Sequence, residues 1–299
     1  MPSQGLSLIG FSADQLVALA HLRIDCVPNP VNASDAQLLA VWAAAQQAIG
    51  APIPNAGNAD PQPLTAGMQA YVNNLIGMPW VVEQLQQLNQ VQASAGLPPA
   101  TFQTVEVDTL LAYQWIVDVG RSQQNCQALS SPPTEPELLN LCLPAAQPSE
   151  PFYSSPITDQ SQSILIKLRN HNLQFSHWGI FDGLHGAKVA GVLFRVGLPF
   201  VHVVRYGGRC YLHNGYHRAY GARAAGATRI PCIFRDVSSA QMAGIRQDSG
   251  TIPEALLVSA NPPTLSHFFN GRALTVQLRA KSRVLHVTWQ QYSVPDEYD

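Results

Sequence analysis

This 299-residue chain has few charged residues. Asp, Glu, Lys and Arg together make up 12% of the residues, about half the usual share, and the formal net charge is −2. The sequence therefore offers no broad basic surface for a nucleic-acid backbone, and nucleic acid would have to bind at a local patch. Hydrophobic residues reach 46%, which is ordinary for a globular chain with a sizeable core.

Long apolar runs and paired cysteines are also missing. No apolar stretch reaches the ~18 residues that a membrane helix needs, and the first residues lack the basic and apolar segments of a secretory signal. The five cysteines are scattered and form no Cys-x-x-Cys pair, which argues against a disulfide scaffold or a zinc ribbon. We therefore expect a cytoplasmic protein with buried, reduced thiols and no membrane partner.

Residues 1–130 predict a helical domain. Capping boxes at residues 12–15 and 34–37 indicate two helix starts. The segment AGMQAYVNNLIGMPWVVEQLQQLNQVQ has apolar residues at helical spacing, and Pro79 is expected to divide it into two helices. The segment DTLLAYQWIVDVGRSQ predicts a further helix. The proline-rich residues 131–156 predict a linker with one short helix at EPELLNL.

Residues 157–299 predict a third region that is rich in strands. SILIKLRN is an expected strand, whereas the glycines of FSHWGIFDGLHGAKVAGVLFRVGLP predict a loop leading into a short helix. FVHVVRY and RCYLHN predict a hairpin around Gly207 and Gly208. A helix should follow from about residue 216 to a stop at Gly226, and then a strand at 230–234. The segment ALTVQLRAKSRVLHVTW predicts a second hairpin.

The candidate chemistry lies in YLHNGYHRAYGARAAGATRIPCI, residues 211–233. His217 and Arg218 stand at an expected helix start, where a cation costs roughly 0.3–1 kcal/mol because the helix dipole is positive there. A bound anion would offset that cost. Gly215 lets the backbone turn, and the first N–H groups of the helix, from Tyr216 on, have no intrahelical acceptor. A plain strand–turn–helix with solvated polar residues remains the alternative interpretation.

The stretch from Gly197 to Phe234 resembles the nucleotide-binding core of the ParB/sulfiredoxin superfamily. Its members share a Gly and a Pro before a strand, a hairpin, a Gly-x-(His/Arg)-Arg turn that opens a helix, and a Gly followed by an Ile-Pro strand. The corresponding residues of this chain are Gly197, Pro199, Gly207-Gly208, Gly215-Tyr216-His217-Arg218, Gly226 and Ile230-Pro231.

The resemblance implies that residues of this turn hold nucleotide phosphates, with Asn214 beside them. The implied binding residues are Asn214, Gly215, Tyr216, His217 and Arg218. The implied ligand is ATP or another nucleoside triphosphate, with or without Mg²⁺. Together with the rest of the chain, the resemblance predicts an α+β fold. A helical N-terminal region would precede a small ParB/sulfiredoxin-like mixed α/β core with a C-terminal β-hairpin extension.

Departures from the superfamily pattern narrow the expected activity. Tyr216 stands where sulfiredoxins carry their reactive Cys, which excludes reduction of cysteine sulfinic acid by that route. Partition proteins of the superfamily carry Glu-Arg-Arg in the turn and a helix-turn-helix domain behind it, and this chain has neither. The turn is most similar to the Asp-Gly-His-His-Arg turn of the superfamily's free-serine kinases. Here Asn214 replaces the Asp and removes a carboxylate.

The leading hypothesis is a phosphotransferase or nucleoside triphosphate hydrolase that uses a small-molecule or protein acceptor. Asp182 and His217 are the predicted catalytic residues, because phosphoryl transfer needs a group that takes the hydroxyl proton. Asp236 is a further candidate base. One alternative is a non-catalytic nucleotide- or anion-sensing module whose helical region binds a protein partner, and another is a ParB-like nuclease. His171, His177, His185 and Asp182 fit no metal-ligand spacing, so we predict no metal site.

Overall fold

The computed structural model describes residues 3–8, 26–27, 40, 43, 47, 53–112, 114–146, 157–158, 163–168, 173–182, 188–245, 252–269, 273–278 and 283–288. The chain divides into two units. The first comprises residues 1–147 and 199–280, and the second comprises residues 148–198 and 281–299. The predicted capping boxes at residues 12–15 and 34–37 lie outside the described residues.

The described residues form a mixed α/β structure with thirteen strands, seven α-helices and one 3-10 helix. The strands are β1 (Ser3–Leu8), β2 (Cys26–Val27), β3 (Thr101–Glu106), β4 (Ile116–Asp118), β5 (Ile157–Thr158), β6 (Ser163–Leu168), β7 (Leu173–Asp182), β8 (Lys188–Val196), β9 (His202–Tyr206), β10 (Arg209–Asn214), β11 (Arg229–Asp236), β12 (Ala273–Leu278) and β13 (Arg283–Thr288). The helices are α1 (Ala66–Leu75), α2 (Pro79–Ser94), α3 (Val119–Cys126), α4 (Glu135–Cys142), α5 (Tyr216–Ala224), α6 (Ala240–Ala243) and α7 (Glu254–Leu257), and the 3-10 helix is Leu265–Phe268.

The sheet that carries the candidate site has the strand order β10-β9-β11-β3. Strands β9 and β10 form an antiparallel hairpin, as predicted. Its two turn residues are Gly207 and Gly208, with φ of 56° and 77°, which glycine adopts at little cost. Strand β11 runs parallel to β9, and α5 connects β10 to β11. The predicted helix after residue 215 and the Ile-Pro strand are thus both confirmed.

Strand β3 completes this sheet by pairing antiparallel with β11 over six residues, from Thr101 opposite Phe234 to Glu106 opposite Arg229. The region predicted as a helical domain therefore shares a sheet with the region predicted as a separate ParB-like domain. The two observed units differ for this reason from the predicted division at residues 130 and 156.

Helices α1 and α2 confirm the prediction for the long amphipathic segment. Pro79 is the first residue of α2, where its missing N–H group costs no hydrogen bond. The predicted short helix at EPELLNL is also present, as α4. Leu138, Leu139 and Leu141 on α4 are buried, so this part of the predicted linker is packed against the rest of the first unit.

The predicted helix at DTLLAYQWIVDVGRSQ is wrong over most of its length. Residues 116–118 form β4, and a helix begins only at Val119. Leu110, Leu111 and Ala112 are all fully buried, because Leu111 forms bridges to both Tyr211 and Thr264. Consecutive burial of this kind suits an extended chain between two neighbours, since a helix would expose part of each turn.

Two predictions about strands also fail. The glycine-rich segment forms the antiparallel hairpin β7–β8, in which Gly179 lies opposite Gly191 and Phe175 lies opposite Phe194. Gly179 and Gly191 are therefore strand residues rather than loop residues. The second predicted hairpin is wrong in its pairing: β12 pairs with β1 and β2, whereas β13 pairs with β6. None of the described helices is both long and apolar enough to cross a membrane.

Candidate functional site

The predicted phosphate-binding turn lies between β10 and α5. Strand β10 ends at Asn214, α5 begins at Tyr216, and Gly215 between them has φ +94°. The Asn214 side chain is used to hold the turn. Its Oδ1 accepts a hydrogen bond from the Gly215 N–H at 2.8 Å, and its Nδ2 donates to the Phe200 carbonyl at 3.4 Å.

Gly215 packs directly against the backbone of Val201. A Cβ atom at position 215 would lie 2.8 Å from Val201 Cγ2 and 3.0 Å from Val201 Cα. Val201 is itself fixed, because its N–H donates to the Cys142 carbonyl and its carbonyl accepts from the Ile233 N–H. Both the positive φ and the close contact therefore require glycine at this position.

One of the first backbone N–H groups of α5, which were expected to lack an intrahelical acceptor, has an acceptor in the structure. The Arg218 N–H donates to the Gly215 carbonyl at 3.0 Å, so it is not directed at a ligand. The Tyr216 side chain is buried at 3% exposure and serves the core. His217 and Arg218 are both partly exposed, and both side chains carry hydrogen-bond donors.

The Arg218 guanidinium stands out by its surroundings. Burial lowers its pKa, and the nearby Arg121 also lowers it, while Cys142 and Cys126 oppose the shift. Among the described residues, no carboxylate forms an ion pair with Arg218 and no acceptor takes a hydrogen bond from its side chain. A partly desolvated guanidinium that lacks such partners favours the binding of an anion. The oxygens of the anion can accept hydrogen bonds from several of its N–H groups.

Other arginines of the first unit have carboxylate partners. Arg205 binds Asp236 through two hydrogen bonds of 2.6 and 3.0 Å, and Arg223 binds Asp108 at 2.6 Å. Arg229 lies 3.2 Å from Asp60 and 3.8 Å from Glu106. Asp236, which the sequence suggested as a candidate base, is therefore already committed to an arginine.

The predicted catalytic pair is divided between the two units. Asp182 is the last residue of β7, exposed, and paired in register with Lys188 of β8, all within the second unit. His217 lies on α5 in the first unit. Within the described part of the chain, no group of three His, Cys, Asp or Glu side chains is placed to hold a metal ion.

His202 is a residue near the turn that the sequence motif does not indicate, whereas His213 was noted with His217 and Arg218 around the expected helix start. His202 begins β9 and lies opposite Asn214 in the hairpin register, because a bulge between Leu212 and Asn214 shifts the pairing by one residue. Its ring stacks on that of His213, with 6.3 Å between ring centroids and 29° between ring planes. A signal was available: the two-residue turn at Gly207-Gly208 places positions 202 and 213 opposite each other before any bulge is considered.

The chain matches no protein-family model, no curated protein and no solved structure in comparisons with known proteins. The resemblance of Gly197–Phe234 therefore rests on its local motif.

Proposed function

We propose that this protein binds a nucleoside triphosphate through its phosphates at the turn Asn214–Arg218. The observation that carries the proposal is the Arg218 guanidinium, which is partly desolvated and has neither a carboxylate nor a hydrogen-bond acceptor among the described residues. A phosphate group would supply both the missing charge and two acceptor oxygens. The nucleotide class comes from the superfamily resemblance of the same residues.

Three features of the turn suit a phosphate group. Gly215 turns the chain from β10 into α5 and so places His217 and Arg218 in the first turn of that helix. The N-terminus of α5 adds its partial positive charge. His217 precedes Arg218 in this turn, so two consecutive residues carry an imidazole and a guanidinium, which are donors of different geometry.

The charges around the turn favour binding over phosphoryl transfer. Phosphoryl transfer needs a group that takes the acceptor's proton and usually carboxylates that help to hold Mg²⁺. The Asp236 carboxylate is already paired with Arg205. The donor set of the turn, an imidazole, a guanidinium and an amide, fits a phosphate but supplies no carboxylate for Mg²⁺. We therefore place the non-catalytic module ahead of the phosphotransferase.

Thermal unfolding against a nucleotide panel tests this proposal. Wild-type protein, Arg218→Met and Arg205→Met are unfolded with ATP, ADP, CTP, GTP or inorganic phosphate, each with and without Mg²⁺. A ligand at 100 times its Kd should stabilise the wild type by about 2.7 kcal/mol. We expect Arg218→Met to lose this response and Arg205→Met, which removes the same charge elsewhere in the unit, to keep it.

Release of phosphate is followed in the same samples to separate binding from catalysis. Stabilisation without release supports the binding module. Release that disappears in Arg218→Met would instead support the hydrolase or phosphotransferase. If no nucleotide and no phosphate changes the unfolding temperature of the wild type, the proposed function is wrong.

A further inference from the structure

The rings of His202 on β9 and His213 on β10 form a stacked pair. Their centroids lie 6.3 Å apart and their planes meet at 29°. The Nε2 atom of His202 is shielded from solvent, and no donor or acceptor of the described residues reaches it. A buried polar atom without a partner is unfavourable, and a charge on the same ring would be more so. This arrangement therefore suits a neutral His202 ring and disfavours a charged one.

The other ring of the pair connects the hairpin to α6. His213 Nδ1 lies 3.0 Å from the carbonyl of Ala243, which is the last residue of this helix. Helix α6 has only four residues, and the Ile245 N–H closes its end by donating to the Ala240 carbonyl. A helix this short does not persist in water without packing. The order of α6 therefore depends on its contacts with the rest of the unit, among them the one with His213.

The titratable and charged groups that face His202 come from three elements. They are His213 on β10, Arg235 on β11 and Arg218 on α5. Helix α6, which packs against β9, has no titratable side chain. Burial first, and then these three neighbours, lower the pKa of His202 to about 3. This is the direction that the shielded Nε2 atom requires by itself, because burial disfavours the charged form of an imidazole.

We propose that the His202–His213 pair is an acid-sensitive contact, which opens when His202 becomes charged and then releases α6 from the hairpin. Both nitrogens of an imidazolium carry a proton, so a charged ring in the stacked position would bury an Nε2–H group without an acceptor. The charged ring gains a partner for that group only by moving into water. Its departure separates the stack and loosens His213, which holds the Ala243 carbonyl. The inference is independent of nucleotide binding.

The direction of the pH effect follows from linkage. The pKa of His202 is lowered in the closed state, so below the normal histidine pKa of ~6.5 the opened state binds more protons than the closed state. The contact is therefore fully stable above that pH and weakens as the pH falls. Between about pH 6 and the lowered pKa of about 3, the equilibrium constant for opening should rise about tenfold for each pH unit.

Amide hydrogen exchange of α6, corrected for the intrinsic exchange rate at each pH, measures the opening. Wild type, His202→Leu and His177→Gln are compared at about pH 7.5, 6.5, 5.5 and 4.5, across the normal histidine pKa. The reporter is the Ile245 N–H, which donates to the Ala240 carbonyl. We expect its protection factor in wild type to fall by about 10- to 100-fold between about pH 6.5 and about pH 4.5. It should stay constant in His202→Leu, and His177→Gln, which removes a histidine of the second unit, should behave as wild type.

A second amide separates release of α6 from unfolding of the whole unit. The Ile233 N–H donates to the Val201 carbonyl inside the sheet, and it should keep its protection at about pH 5.5, below the normal histidine pKa, while that of Ile245 falls. Equal loss at Ile245 in wild type and His202→Leu, or no loss in wild type, would overturn the inference. Parallel loss at Ile233 and Ile245 would also overturn it, because His202 would then act on global stability alone. If His202→Leu does not fold, His202→Gln takes its place, and a loss at Ile245 equal to that of wild type would overturn the inference.

Discussion

Replacing Gly215 by alanine is expected to lower the free energy of unfolding by about 2–4 kcal/mol, as the sum of backbone strain and overpacking. The φ of +94° is unfavourable for any residue with a Cβ atom, and that Cβ would meet Val201 at 2.8 and 3.0 Å. Val201 cannot move away easily, because its N–H and carbonyl are hydrogen-bonded to Cys142 and Ile233. Denaturant unfolding of the two proteins measures the difference.

Gly208→Ala is the matched control for this experiment. Gly208 also has a positive φ, of 77°, but a Cβ there would meet nothing within 4 Å. It should therefore cost only the conformational strain, about 1–2 kcal/mol. The double variant Gly215→Ala with Val201→Ala should recover part of the difference. Equal losses at Gly208 and Gly215, with no coupling to Val201, would show that the contact does not shape the turn.

Replacing Arg218 by methionine should separate stability from binding. The variant is expected to unfold at the same denaturant concentration as wild type or a higher one, because it removes a partly buried charge for which the described residues supply no partner. Its affinity for ATP should fall by about 10- to 100-fold, which corresponds to the 1.5–3 kcal/mol of hydrogen bonds to a charged group. Equilibrium unfolding and calorimetry give the two quantities.

Arg205→Met shows what the loss of a paired arginine does. The Arg205–Asp236 pair is exposed to about 45% and 34%, respectively, so breaking it should cost no more than about 1 kcal/mol. It should leave the affinity for ATP unchanged. A loss of several kcal/mol of stability in Arg218→Met, without a change in affinity, would mean that Arg218 is a structural residue.

The hairpin, the turn and α5 could be predicted because their signals are local. Two glycines between strands, a glycine before the helix and another after it each require a particular backbone conformation, and the structure has positive φ at all four. The same holds for Pro79, whose ring permits a helix start and not a helix interior.

The parts that could not be predicted depend on pairings between distant residues. Strand β3 is recognisable as a strand only once β11, more than a hundred residues later, is available to pair with it. Strand β12 pairs with β1 at the other end of the chain rather than with its neighbour in sequence. Local alternation of apolar residues predicts a strand but does not name its partner.

The backbone of the candidate turn could be predicted, whereas the contacts of its side chains could not. Gly215 and Arg218 occupy the positions that the motif suggested. Asn214 was expected as a cap or ligand contact, yet its side chain holds Gly215 and Phe200. His202 was overlooked because its position follows from the strand pairing that the Gly207-Gly208 turn sets, and the Gly-x-His-Arg motif does not contain that pairing.

The central claim is that the Arg218 guanidinium binds a phosphate group, and arginine side-chain NMR tests it most directly. The Arg218 Nε–H resonance is assigned by its loss in Arg218→Lys, and ¹⁵N-labelled protein is then titrated with inorganic phosphate. We predict a saturable shift of that resonance, with the Arg205 and Arg223 resonances unchanged because their carboxylate partners are already in place. A saturating titration that leaves the Arg218 resonance where it was would contradict the account.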